Sequence, residues 1–109
     1  MTRKMHPVEE TFKNYLNERF NDKISNIETI GGFYIFIIEI SSDMVLRIEF
    51  GIGKSMMDGY DYLYVDSFLF SKNKKINSCN QVIDLGRNAT LNNEKSEEIV
   101  DELLNELNY

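Results

Sequence analysis

Few residues in this chain have the types and spacing that catalysis needs. There is one histidine, His6, and one cysteine, Cys79. A zinc site built from such ligands needs three or four of them, so the count excludes it. His6 sits beside Pro7 in what reads as a short N-terminal tail, a poor place for the base of a hydrolytic triad. Cys79 lies in the polar stretch Asn77-Ser78-Cys79-Asn80 and reads as a bystander thiol; alone, it forms no internal disulfide. Asp43, Asp58, Asp61, Asp66 and Asp84 have the chemistry of magnesium ligands, but they fall at turns and strand ends, where aspartate is common. No acidic residue is followed two positions later by lysine, so the carboxylate–lysine signature of many nucleases is missing. Gly51-Ile52-Gly53-Lys54-Ser55 invites comparison with a phosphate loop, but the first glycine of that pattern is replaced by Ile48 and no helical run follows. The expectation is a chain that is not an enzyme and holds no metal or cofactor.

What remains is binding chemistry. Tyr60, Tyr62 and Tyr64 alternate with Asp61 and Leu63, which puts three phenols on one side of a strand beside Asp58 and Asp66. Phe68 and Phe70 share their parity. Tyrosine brings large contact area at low entropic cost and is favoured at interface hot spots. The competing reading is a half-buried cross-strand ladder with its hydroxyls in water. Lys72, Lys74 and Lys75 form a small basic loop with the charge to meet a phosphate, but the chain as a whole is acidic.

The charge is uneven. Residues 1–91 carry 12 acids and 11 bases, whereas residues 92–109 carry six acids (Glu94, Glu97, Glu98, Asp101, Glu102, Glu106) against Lys95 alone. Nucleic-acid binding needs a cationic footprint, so this layout argues against it and permits a basic protein partner; the competing reading is that the six carboxylates only keep a helix soluble. No apolar run nears the roughly 20 residues that cross a bilayer, and the N-terminus turns polar too early for a signal peptide. A cytoplasmic protein without membrane contact is expected.

The elements that position these residues follow from periodicity. Pro7 followed by Glu9 and Glu10 marks a helix start, and Val8, Phe12, Tyr15, Leu16 and Phe20 keep helical spacing, so a helix is expected over about 8–21. Residues 24–30 read as a short strand turning at Gly31-Gly32, with a glycine bulge in one longer strand as the rival. Residues 33–40 are apolar on both faces except Glu39, which places them inside a sheet; residues 44–50 alternate cleanly. Between them Ser41-Ser42-Asp43 makes a hairpin. Residues 51–59 read as a loop, residues 60–70 as a strand with room for a bulge near Asp66-Ser67, residues 71–80 as a polar connection and residues 81–85 as a last short strand. Asn92 or Asn93 caps a final helix striped by Ile99, Val100, Leu103, Leu104 and Leu107. One α+β domain spanning 1–109 is expected: an antiparallel sheet of four or five strands, with an N-terminal and a C-terminal helix packed on one face. The doubly apolar strand then leaves a second sheet face to be covered by loops, by a second copy in a homodimer, or by another protein.

In size, acidity and helix–sheet–helix order, carried by the hairpin 33–50, the Tyr/Asp strand 58–70 and the acidic helix 94–107, the chain resembles bacterial toxin-immunity proteins. The resemblance implies an antitoxin that occludes a basic toxin domain, often a nuclease, by acidic and aromatic contacts. Asp58, Tyr60, Asp61, Tyr62, Tyr64 and Asp66, with Glu98, Asp101 and Glu102, are the candidate contacts. Two alternatives come from other classes. One is a dimeric secretion-chaperone-like binder of an extended effector segment, although no helix lies between the middle strands. The other is a small enzyme or nucleotide binder using the 51–59 loop.

Overall fold

A computed structural model describes residues 5–109 of the chain. The first helix, α1, spans Pro7–Phe20. His6 starts it: the backbone there is extended, its Nδ1 accepts from the Val8 N–H at 3.1 Å, and its own N–H donates to Glu9 Oε1 at 3.0 Å. Two otherwise orphaned helix-start amides are thereby satisfied. His6 is thus a cap and not a tail residue, which corrects the expectation from sequence. Val8, Phe12, Leu16 and Phe20 are buried along one face. A short 3-10 turn, Asn21–Lys23, leads into the sheet.

The five strands are β1 (Ile24–Ile30), β2 (Phe33–Glu39), β3 (Met44–Lys54), β4 (Asp61–Ser71) and β5 (Lys74–Asp84), and the second helix, α2, is Asn93–Glu106. The strands lie side by side in sequence order and every neighbouring pair is antiparallel. Such a meander needs only short connections. Gly31 (φ 59°) and Gly32 (φ 86°) make the first, in the left-handed region that glycine enters without cost from a Cβ. This bears out a separate first strand. Lys72 (φ 51°) and Asn73 (φ 69°) make the last turn in the same region.

Two boundaries differ from the sequence reading. Strand β3 runs on through Lys54, so Gly51 and Gly53 lie in the sheet and the loop shrinks to residues 55–60. Strand β5 begins at Lys74, so the supposed polar connection is mostly strand. The β3–β4 ladder runs unbroken from Met44↔Ser71 to Lys54↔Asp61, so no bulge swaps the faces at Asp66. The one register shift on β4 is at Leu69/Phe70, against β5.

One sheet face packs on both helices. Tyr34, Phe36, Ile38, Leu46, Ile48, Phe50, Leu63, Val65 and Leu69 join the helix stripes Val8–Phe12–Leu16–Phe20 and Ile99–Val100–Leu103–Leu107 in a single core. Phe50 is its hub: the Phe12 ring meets it edge-on at 5.0 Å, Tyr34 stacks at 5.6 Å and Phe36 lies at 5.8 Å. Arg19 ties the helices together, its Nη1 2.7 Å from Asp101 Oδ1 and donating to the Tyr15 hydroxyl at 2.9 Å. Helix α2 is fastened to the last strand by Asn77 Nδ2 donating to the Glu106 carbonyl and Gln81 Nε2 donating to the Ile99 carbonyl. Among the described residues no helix is long and apolar enough to cross a membrane.

Candidate protein interface on the helix-free sheet face

Among the described residues no helix lies on the other sheet face, and the strand register fixes which residues belong to it. Paired residues on antiparallel neighbours point the same way. One row across all five strands is Glu28, Ile35, Glu49, Asp66 and Asn80, in which Ile35 itself is buried at 2 % exposure. The next reads Asn26, Ile37, Arg47, Phe68 and Ser78. On the other side lie Gly51, Tyr64 and Val82, then Gly53, Tyr62 and Asp84. Beyond Phe68, Val45 faces Phe70.

The aromatic rings are laid down on glycine. A Cβ on Gly53 would sit 2.6 Å from Cε2 of Tyr64, and one on Gly51 would sit 3.2 Å from Cδ1 of Phe33. The missing side chains therefore leave room for the Tyr64 and Phe33 rings to pack close against β3. This accounts for glycine inside a strand, where it otherwise weakens the structure. Tyr62, Tyr64, Phe68 and Phe70 are half-buried, so their faces are supported while part of each ring still meets water.

The loop at residues 55–60 continues this surface and is well tied. Ser55 N–H donates to the Tyr60 carbonyl and Gly59 N–H to the Ser55 carbonyl, both at 2.9 Å. Asp58 accepts from the Tyr60 N–H at 2.9 Å and from the Tyr62 hydroxyl at 2.5 Å. Because Tyr62 donates to a carboxylate, its phenol is held well above the ordinary range, at about 12, and the same bond pulls Asp58 below its usual value. Met56 and Met57, at the tip, are fully exposed. An ordered turn that shows two thioethers and the 40 % exposed Tyr60 to solvent has the makings of a contact knob.

The electrostatics of the face are anionic. Glu28, Glu39, Glu49, Asp58, Asp66 and Asp84 stand against Arg47 and Lys75. Glu49 and Asp66 are directly opposite each other, an arrangement of like charges that disfavours pairing of the strands. Each has partial relief. Arg47 Nε lies 2.8 Å from Glu49 Oε2, although its N–H is not aimed along that contact, and Asn80 Nδ2 donates to Asp66 Oδ1. Lys75 sits 5.9 Å over the Phe68 ring.

Of the contacts expected from sequence, the fold gathers Asp58, Tyr60, Tyr62, Tyr64 and Asp66 around this face. Asp61 pairs with Lys54 on the parity of buried Leu63, so it points to the opposite side. Glu98, Asp101 and Glu102 ride on α2, across the sheet from the tyrosines. Asp101 is engaged with Arg19, whereas Glu98 and Glu102 line a groove beside β5. Sequence reasoning missed Glu49, Phe33, Val82 and the two methionines. The apolar residues on both sides of 33–40 were a signal for Phe33, but the placement of Glu49 opposite Asp66 depends on strand register. No family model, curated protein or solved structure matches the chain.

Proposed function

We propose that this protein is a protein-binding module of the immunity type, which captures a cognate basic toxin domain in the cytoplasm and neutralises it by occlusion, with no chemistry of its own. One observation carries the reading: the opposed carboxylates Glu49 and Asp66 stand among supported aromatic rings on a sheet face that no helix of the described residues covers. A lysine or arginine of a partner would relieve the repulsion between them, and the rings would supply contact area around that cation. The anionic field speeds encounter with a basic surface, while desolvated tyrosines slow release. The rings are half in solvent, a state that suits an interface better than a core.

The reading is tested through the neighbouring gene. It should encode a larger protein with a basic C-terminal domain whose expression halts growth. Co-expression of this chain should restore growth, and the doubly charge-reversed Glu49→Lys, Asp66→Lys variant, folded by circular dichroism, should not. Full rescue by that variant would remove this face from the account.

A further inference from the structure

The outer edge of β5 is a second place where the fold is left open. The phase of the ladder shows which of its backbone groups are free. Ser55 N–H bonds to the Tyr60 carbonyl, so even-numbered residues of β4 bond toward β3 and odd-numbered ones toward β5. Their partners Gln81 and Ile83 bond back, opposite Val65 and Leu63. Asn80, Val82 and Asp84 must then point their amides and carbonyls off the sheet. Ser78, in the same phase, confirms this, because its N–H is taken by Asn77 Oδ1 at 2.9 Å. Among the described residues nothing takes the other three.

Those three residues border a groove of about 470 Å³ between β5 and α2. Residues of both parities line it, so it opens on the edge of the strand and not on one face. Ile99 supplies an apolar wall, and Glu98 and Glu102 add charge beside Asp84, with Lys95 already 3.4 Å from Glu98. Inside it, Gln81 Oε1 is shielded from water and has no donor, since only the Nε2 of that amide is used. Val82 is 54 % exposed, an apolar side chain displayed on an open edge. Proteins ordinarily blunt such edges, as β1 does with a bulge at its start.

We infer that the β5 edge from Asn80 to Asp84, walled by Glu98, Ile99 and Glu102, accepts a cationic extended segment of a partner as a sixth strand. Backbone bonding supplies the affinity and the alternate side chains the selectivity. Residues of the added strand opposite Gln81 and Ile83 would face α2 and meet the carboxylates. A second copy fits less well: pairing β5 with itself would bring two α2 helices onto one side with Glu98 and Glu102 of each copy close together. The inference stands apart from the proposed neutralisation, since it needs neither Glu49 nor Tyr62.

The test uses a fluorescent heptapeptide of alternating lysine and threonine, read by anisotropy. The glutamate–threonine peptide and a lysine–threonine peptide N-methylated at alternate residues serve as controls. Binding of the first alone is expected, together with slower hydrogen exchange at Asn80, Val82 and Asp84. Val82→Pro removes an outward amide without touching the ladder and should abolish binding. The surface variant Glu98→Lys, Glu102→Lys should weaken it about tenfold or more. No binding of the lysine peptide, equal binding of the N-methylated peptide, or a dimer in sedimentation that Val82→Pro dissolves would each overturn the inference.

Discussion

The Tyr62 hydroxyl donates a 2.5 Å hydrogen bond to Asp58, joining the first turn of β4's aromatic row to the loop that precedes it. The bond holds a largely exposed loop against the end of a strand, so it acts on local order and not on the stability of the core. It also sets a pH window. Tyr62 keeps its proton more firmly in the folded chain, so its contribution is complete below pH 10.0 and fades as the pH rises through about 12. Asp58 prefers its charged form, so its contribution is complete above 3.8 and fades as the pH falls through the lowered value. Asp58→Asn should bring the Tyr62 phenol back toward 10.0 in an ultraviolet titration. A phenol that still titrates near 12 in that variant would show that the bond is not the cause.

Gly53 carries a second prediction. Gly53→Ala places a Cβ 2.6 Å from the Tyr64 ring, and the ring must swing off β3. Because the obstacle is the far end of a side chain, the cost should be modest, about 1 kcal/mol. Nitration of Tyr64, followed by mass spectrometry, should become faster. An unchanged rate would mean that the ring is not seated there.

The helix pair offers a third. Arg19 and Asp101 are partly solvated, so Asp101→Ala should cost only about 0.5 kcal/mol in urea unfolding, and the difference should shrink at high salt. A salt-independent loss of several kcal/mol would point to a different role for Asp101.

Phe50 lies at the other extreme. It is fully buried and touches the rings of Phe12, Tyr34 and Phe36. Phe50→Ala should cost about 3–5 kcal/mol, a large part of the stability of a domain this size. Urea unfolding measures it, and a loss below about 1 kcal/mol would mean that the core does not centre on this ring.

Where the chain has strong periodicity, its fold is legible in its residues. The stripe Val8–Phe12–Leu16–Phe20, the helix start at Pro7, the cap at Asn92, the Gly31-Gly32 turn and the alternation of 44–50 all lead to the elements observed. Lys74 to Asn80 was illegible because an edge strand with little cover has no reason to alternate apolar and polar residues; backbone pairing with β4 holds it. Gly51 and Gly53 read as a loop for the usual reason, yet they are strand positions kept bare for Phe33 and Tyr64. The face was half legible. The parity of Tyr62, Tyr64 and Asp66 is visible in one strand, whereas the meeting of Asp66 with Glu49, and the separation of both from the α2 acids, depend on register and layer order.

The most direct measurement is the affinity of the basic toxin domain encoded by the neighbouring gene for this chain and for its Tyr62→Ala, Tyr64→Ala, Asp66→Lys variant, by calorimetry. With the variant's fold verified, binding should weaken by about a hundredfold or more, as expected when hot-spot aromatics and a central charge are removed together. An affinity within about twofold of the unmodified chain, far below the cost of losing even one hot-spot residue, would contradict the account.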